Sequence, residues 1–305
     1  DNFSLRGSVS TSFRAPSIFQ RDGGGTSLNQ MIDPLTGAAA FAADRTSGNE
    51  DLVPEQSTAF NLGFSLDPVD DWSIEVDYWS FDFTDLIIKE NFQAILNAEP
   101  QNPDRVIRAG DPLTGPLLQV LTTYVNASSL ETSGLDLVSS YKLETEMGTF
   151  TPSISATYIL AYDLVDPQAG PIDGAGLRNS SNIGVSTPEL RANLGLNWKH
   201  EEYSANIFAR YVDSYSDDQN CADGNAFSAA CTVGYKDVDS HLTWDAQVNI
   251  DLGAIFETNS AYVLSVGGVN LTDENPPQLF TNAGFDSKVH DPRGRQIYAR
   301  LAIEF

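Results

Sequence analysis

The amino-acid sequence predicts an all-β fold, an antiparallel transmembrane β-barrel. Three observations carry this. Apolar residues recur with period two, the links between the resulting strands alternate between long and short, and aromatic residues gather toward both strand ends. The alternation is complete from Leu242 to Leu252: Leu242, Trp244, Ala246, Val248, Ile250 and Leu252 share one face, and Thr243, Asp245, Gln247, Asn249 and Asp251 the other. That is a strand with one apolar and one wet face. Leu190 to Trp198 and Ile297 to Phe305 repeat it. Less regular versions cover Phe3–Phe13, Ser57–Leu66, Trp72–Phe83, Leu130–Leu143, Phe150–Tyr162, Tyr203–Tyr215 and Ala261–Asn270. The total is about ten strands of roughly 9 to 14 residues, long enough to cross a bilayer at a tilt. In Trp72–Phe83 the phase slips. Trp72, Ile74, Val76 and Tyr78 share a face, while Trp79, Phe81 and Phe83 lie on the other. A bulge near Tyr78, or an exit from the apolar zone, accounts for it.

Long links span about residues 14–54, 89–121, 163–187, 216–240 and 271–293; short ones span about 68–71, 145–148, 200–202 and 253–260. Long loops on one side and tight turns on the other mark an outer-membrane barrel, whereas a soluble sandwich mixes loop lengths at both ends. Trp72, Phe150, Trp198, Tyr203 and Phe305 stand beside the short turns; Phe13, Tyr162, Tyr211, Tyr215 and Trp244 stand toward the long loops. Two belts of amphipathic rings at headgroup depth are expected of such a barrel. With five outside loops and four inside turns the chain ends going inward, so Phe305 lies at the periplasmic face as an assembly signal.

Composition narrows the partners. The 305 residues carry 42 acidic and 17 basic side chains, a net charge of −25. That excludes nucleic acid, whose phosphates need clustered Lys and Arg, and disfavours docking on an anionic membrane surface. The longest apolar run, Ala38 to Ala43, is roughly six residues, far short of the ~20 of a membrane helix. Two cysteines are too few for a disulfide-dense scaffold or a four-cysteine zinc site. The chain starts at Asp1 inside a strand, which leads us to expect a piece of something longer, read as one unit over residues 1–305.

Five blocks resemble a known family. Ser12-Phe13-Arg14-Ala15-Pro16-Ser17 is similar to a segment of TonB-dependent receptors, and so is Gly48-Asn49-Glu50-Asp51-Leu52-Val53-Pro54-Glu55-Gln56-Ser57, followed by Phe60-Asn61-Leu62-Gly63. Leu130-Glu131-Thr132-Ser133-Gly134-Leu135-Asp136 resembles the strand in which these receptors place a Gly before an acidic residue. Val269-Asn270-Leu271-Thr272-Asp273-Glu274-Asn275-Pro276-Pro277 resembles the start of their last outside loop, and Asp291-Pro292-Arg293-Gly294-Arg295 leads into the closing strand. The resemblance implies a 22-stranded barrel filled by a plug. This chain would be its C-terminal part, with the plug and N-terminal strands absent. It implies uptake of a scarce small-molecule nutrient, such as a ferric siderophore or an oligosaccharide, powered by TonB–ExbB–ExbD through the plug, with lipid and lipopolysaccharide around the wall.

Catalysis finds little support. His200, His241 and His290 lie in separate links or loop ends without the H-x-x-x-H spacing of zinc sites, and no G-x-S-x-G elbow occurs. Gly23-Gly24-Gly25 lacks the context of a phosphate loop and reads as a flexible part of an outside loop. Asp217, Asp218, Asp223 and Asn225 form an acidic cluster without EF-hand spacing, read as a solvated loop. No metal or cofactor is expected. Cys221 and Cys231, in one outside loop, are expected to form a disulfide in an oxidising compartment. Arg6, Arg14, Glu75, Asp77, Asp136, Lys142, Arg191, Arg210, Asp245, Asp251 and Arg300 should line the lumen, bridging to the plug and the hydrated interior. The loop aromatics Phe41, Phe92, Phe227, Tyr235, Phe280 and Phe285 are the ligand-contact candidates. Two alternatives remain. One is a self-contained passive ten-stranded barrel, which would pair Phe3–Phe13 with Ile297–Phe305; the other is a barrel hydrolase.

Overall fold

The computed structural model describes residues 2–99, 103–166, 170–179, 184–217, 236–258, 261–279 and 283–304. Ten long strands form the wall: β1 (Phe3–Arg14), β2 (Glu55–Leu66), β3 (Trp72–Lys89), β4 (Leu117–Tyr141), β5 (Gly148–Asp166), β6 (Leu190–His200), β7 (Tyr203–Val212), β8 (His241–Asp251), β9 (Ala261–Val269) and β10 (Gln296–Glu304). They pair as an antiparallel meander in sequence order. Among the described residues β1 pairs only with β2, and β10 only with β9. The sheet is therefore open, a partial barrel, and the self-closed ten-stranded alternative does not describe it.

The register sorts side chains into two faces. Phe3 opposes Leu66, Leu5 opposes Phe64 and Val9 opposes Phe60; at the other edge Leu264 opposes Leu301. These form the lipid face, where Leu5 is 68% and Val9 71% exposed. The opposite face is polar. Arg6 bonds Asp77 and, at 3.0 Å, Glu75; Thr157 donates to Asp136 at 2.6 Å; Arg210 pairs with Asp245. The sequence pointed these charges at a plug, but many are satisfied between neighbouring strands of the wall itself. Total accessible surface is 17926 Å², against about 12,600 Å² for a compact soluble chain of this mass. The excess is the surface that lipid and the remaining barrel cover.

β3 and β4 run well past the expected limits at Phe83 and Leu130, to 18 and 25 residues, so this ribbon stands above the bilayer, which needs only about 9–11 residues. The phase slip in β3 is not a bulge at Tyr78: pairing with β2 is unbroken from Ile74 to Thr84. Trp79, Phe81 and Phe83 share the lumen side of Glu75 and Asp77, while Ser80, Asp82 and Thr84 continue the lipid side above the apolar zone. The rings form a ladder, with centroids 5.9 and 6.0 Å apart. Gly134 opposes Trp79, and a Cβ there would meet the indole and approach the Tyr158 carbonyl oxygen to 2.7 Å. Irregular pairing comes higher, between Phe83 and Ile87, where Asp85 adopts φ 55.

The outer links are not simple loops. Residues 24–33 and 38–47 form a hairpin whose second strand pairs in parallel with the top of β4. Gly24 and Gly25 belong to that hairpin rather than to a flexible loop. Met31, Ala42, Ile95, Leu96, Val106, Leu117 and Val120 form a hydrophobic core there, with Phe92 packed against it. The apolar core thus sits outside the membrane. Arg108 locks the module. Its guanidinium donates to both Asp33 carboxylate oxygens at 2.8 Å, to both of Glu99 at 2.7 Å and to the Gly115 carbonyl at 3.1 Å. Every N–H is used, and its hydrogen bonds hold Asp33 below the usual carboxylate range.

Because removing one partner strands the other charges in a buried place, Arg108→Ala should destabilise this module by about 3–5 kcal/mol. The check is amide hydrogen exchange: protection should collapse over residues 24–47 and 106–108, while the wall strands and the heat-modifiable gel mobility of the folded barrel stay unchanged.

Candidate functional site

Three outer links, β5–β6, β7–β8 and β9–β10, meet at the rim. Residues Tyr215–Asp217 pair with Lys236–Val238 as a short ladder, and Ser216 and Leu177 form a bridge to the link before β6. Tyr215, Val238 and Leu279 are buried together, with Val289 against them. Tyr162 and Tyr215, which the sequence placed in the outer aromatic belt, are only 7% and 4% exposed. Both turn inward, where Tyr162 accepts a hydrogen bond from the Val185 amide. Phe13 and Trp244 remain exposed, as a belt requires.

Asp286 organises the cluster. Ser186 donates to its Oδ2 at 2.7 Å and Tyr215 at 3.1 Å, and the Lys288 amide donates to Oδ1. Since the Tyr215 proton goes to Asp286, the phenol oxygen accepts the Nε2 proton of His290, 3.2 Å away, leaving Nδ1 of His290 as a lone pair. That nitrogen is buried without a hydrogen-bond partner, as is Nε2 of His241. An unsatisfied buried polar atom costs about 1–3 kcal/mol, so two in one place mark a site under functional demand. The imidazoles meet edge to face with centroids 5.0 Å apart. They line a pocket of about 380 Å³ with Arg210, Thr243, Arg293 and Gln296. Burial first, then His241, pushes His290 down to about 4, against the pull of Asp286. Burial also raises the Tyr215 phenol well above its ordinary value.

Over residues 1–271 the sequence matches the family described as TonB dependent receptor-like, beta-barrel. The chain belongs to that family. Its fold is that of solved outer-membrane receptors at low identity. A single-substitution mutant of the ferric enterobactin receptor PfeA of Pseudomonas aeruginosa, in complex with enterobactin, aligns at 15% identity and TM-score 0.65, covering 100% of this chain and 38% of that one. The siderophore receptor PirA of Acinetobacter baumannii aligns at 17% and 0.62, covering 99% and 39%. The outer membrane transporter YddB of Escherichia coli aligns at 14% and 0.57, covering 88% and 35%. No curated protein matches. This receptor chain therefore spans about two-fifths of the solved relatives, and as a barrel of this family it resides in the bacterial outer membrane.

Of the loop aromatics named from the sequence, Phe41 stands on the outer face of the 24–47 hairpin, 68% exposed, Phe92 packs on the module core, and Phe285 is half-buried beside Asp286. Phe227, Tyr235, Phe280, Cys221, Cys231 and Phe305 lie outside the described residues, as do Asp218, Asp223 and Asn225; Asp217 accepts from Arg178 at 3.0 Å. The structure keeps His200 apart, stacked on Trp198, but joins His241 and His290, which sequence spacing had set aside.

His290 is held neutral in the folded rim, so unfolded rim binds a proton below about pH 6.5 that the folded rim refuses down to about 4. Docking of the last outer link should be strongest above pH 6.5 and weaken as pH falls toward 4. Hydrogen exchange of amides 286–290, corrected for intrinsic rate, should show protection dropping over that window, and His290→Gln should flatten the dependence. Protection that ignores pH in the native protein contradicts it.

Proposed function

We propose that this chain is the wall and outer rim of an active importer, which binds a scarce nutrient outside and admits it on energy from TonB–ExbB–ExbD acting through a plug. The observation that carries the reading is the family match over residues 1–271, joined to a polar, ion-paired inner wall beneath a structured outer rim. A wall whose charges are already neutralised strand to strand suits passage and gating better than catalysis. The ligand class we favour is a metal chelate, a ferric siderophore first, with an oligosaccharide as the competing class. The acidic excess of the chain disfavours a free anion, and a chelated metal offsets its ligand's charge. Phe41 and Phe285 are the contacts we assign to the ligand among the outer aromatics.

The test is uptake. Cells lacking the full-length receptor should lose accumulation of a radiolabelled ferric siderophore from a panel including catecholates, and cells lacking TonB should lose it equally. Loss of growth on an oligosaccharide instead, with ferric uptake intact, would select the competing class. Uptake that persists without TonB removes the energised mechanism.

A further inference from the structure

The rim pocket carries more than its place in the wall. His241 begins β8, and His290 closes the last outer link just before β10. The residues are 91% and 94% buried. Each has a ring nitrogen sealed from water and bonded to nothing. Core histidines ordinarily satisfy both nitrogens, so a pair of unpartnered ones at a pocket points to a ligand that brings its own acceptor of lone pairs.

The separation fits that ligand. Imidazole nitrogens bind a metal at about 2.0–2.1 Å. Two rings around one tetrahedral ion then have centroids about 5 Å apart, and these stand at 5.0 Å. His290 is also oriented as a ligand should be. Its Nε2–H is donated to Tyr215, which is in turn fixed by Asp286 and Ser186. Metal-binding histidines are held through the far nitrogen in this way, and the outer partner sets tautomer and ring angle. Among the described residues no group of three or more His, Cys, Asp or Glu surrounds a common point. Two protein ligands leave the other coordination positions to whatever arrives with the metal.

We propose that this pocket binds a nitrogen-seeking divalent first-row metal, Cu²⁺, Ni²⁺ or Zn²⁺, through Nδ1 of His290 and Nε2 of His241, with water or a small chelator filling the remaining positions. The assignment rests on reading the rim as the ligand-facing end of an importer, and it differs from recognition of ferric siderophores, whose hard metal prefers oxygen donors. Arg210 and Arg293 beside the pocket are each paired with a carboxylate, Asp245 and Asp291, so neither sets an unpaired positive charge against the cation.

The experiment uses the full-length receptor in detergent micelles and Cu²⁺ alone, followed by calorimetry and electron paramagnetic resonance. One Cu²⁺ per receptor is expected, with nitrogen hyperfine structure from two imidazoles. His241→Ala and His290→Ala should each weaken binding at least about 100-fold. Tyr215→Phe should weaken it about 10-fold while keeping the stoichiometry, as removal of an outer-shell partner does. Should either histidine variant fail to fold, His241→Gln and His290→Gln, which keep much of the side-chain volume, decide: each must lose Cu²⁺ binding, while His200→Gln keeps it. Absent binding, or binding indifferent to both histidines, overturns the assignment. Siderophore uptake without Cu²⁺ binding refutes this site alone, and Cu²⁺ binding without uptake refutes the transport reading alone.

Discussion

Hydrocarbon offers no hydrogen-bond partner, and the rest of this structure depends on that. A chain crossing it with strands needs every backbone group paired to a neighbour, so the wall is an uninterrupted antiparallel meander in sequence order. The same solvent inverts the usual placing of apolar side chains. Leu5, Val9 and Ile297 face outward at 68%, 71% and 66% exposure, while packed cores appear only above the membrane, in the hairpin module and at the rim. Water is the surrounding solvent there, and burial against it again drives packing.

The wet side of the wall has its own economy of charge. At least ten of the 17 basic residues are in ion pairs: Arg6, Arg14, Lys89, Arg105, Arg108, Lys142, Arg178, Arg210, Arg293 and Arg295. The most buried of them, Arg108, holds two carboxylates at once. With most cations engaged inside the fold, the acid excess is left to the surfaces that meet water. The −25 balance therefore describes an outer rim and lumen that repel free anions, and it makes an ion-paired wall a feature of construction rather than a docking code.

The wall was legible because its signal is local. Period-two alternation in Leu242–Leu252 or Leu190–Trp198 reports a side-chain direction that tertiary contacts cannot change. Trp79, Phe81 and Phe83 blurred the pattern because aromatic side chains serve both faces of a barrel. Only the unbroken register with β2 shows which side they take. Gly134 was visible as a motif, but its reason is across the strand gap, where the Trp79 indole and the Tyr158 carbonyl leave no room for a Cβ. The outer links look like plain loops in the sequence because their order comes from long-range partners. Arg108 finds Asp33 from 75 residues away, and no window of sequence contains both. Tyr162 and Tyr215 stand in the sequence where a lipid belt is expected, yet hydroxyl partners draw them inward.

The rim shows how a meander concentrates chemistry without any motif. Every strand that runs inward starts on the outer side, so Glu55, Leu190, His241 and Gln296 all begin there, while β4 starts higher, at Leu117 in the ribbon that stands above the bilayer. Residues just before or at those starts are neighbours in height, whatever their spacing in the chain. β8 and β10 are separated only by β9, so the start of β8 and the link entering β10 converge. His241 and His290 meet for that reason, although 49 positions separate them. Spacing rules for metal or catalytic sites assume one helix or one loop and fail here. Strand polarity is the periodicity that applies. It also explains why the site pairs one wall residue with one link residue: the wall fixes His241, and the link, held by Asp286, Tyr215 and Ser186, sets His290 against it.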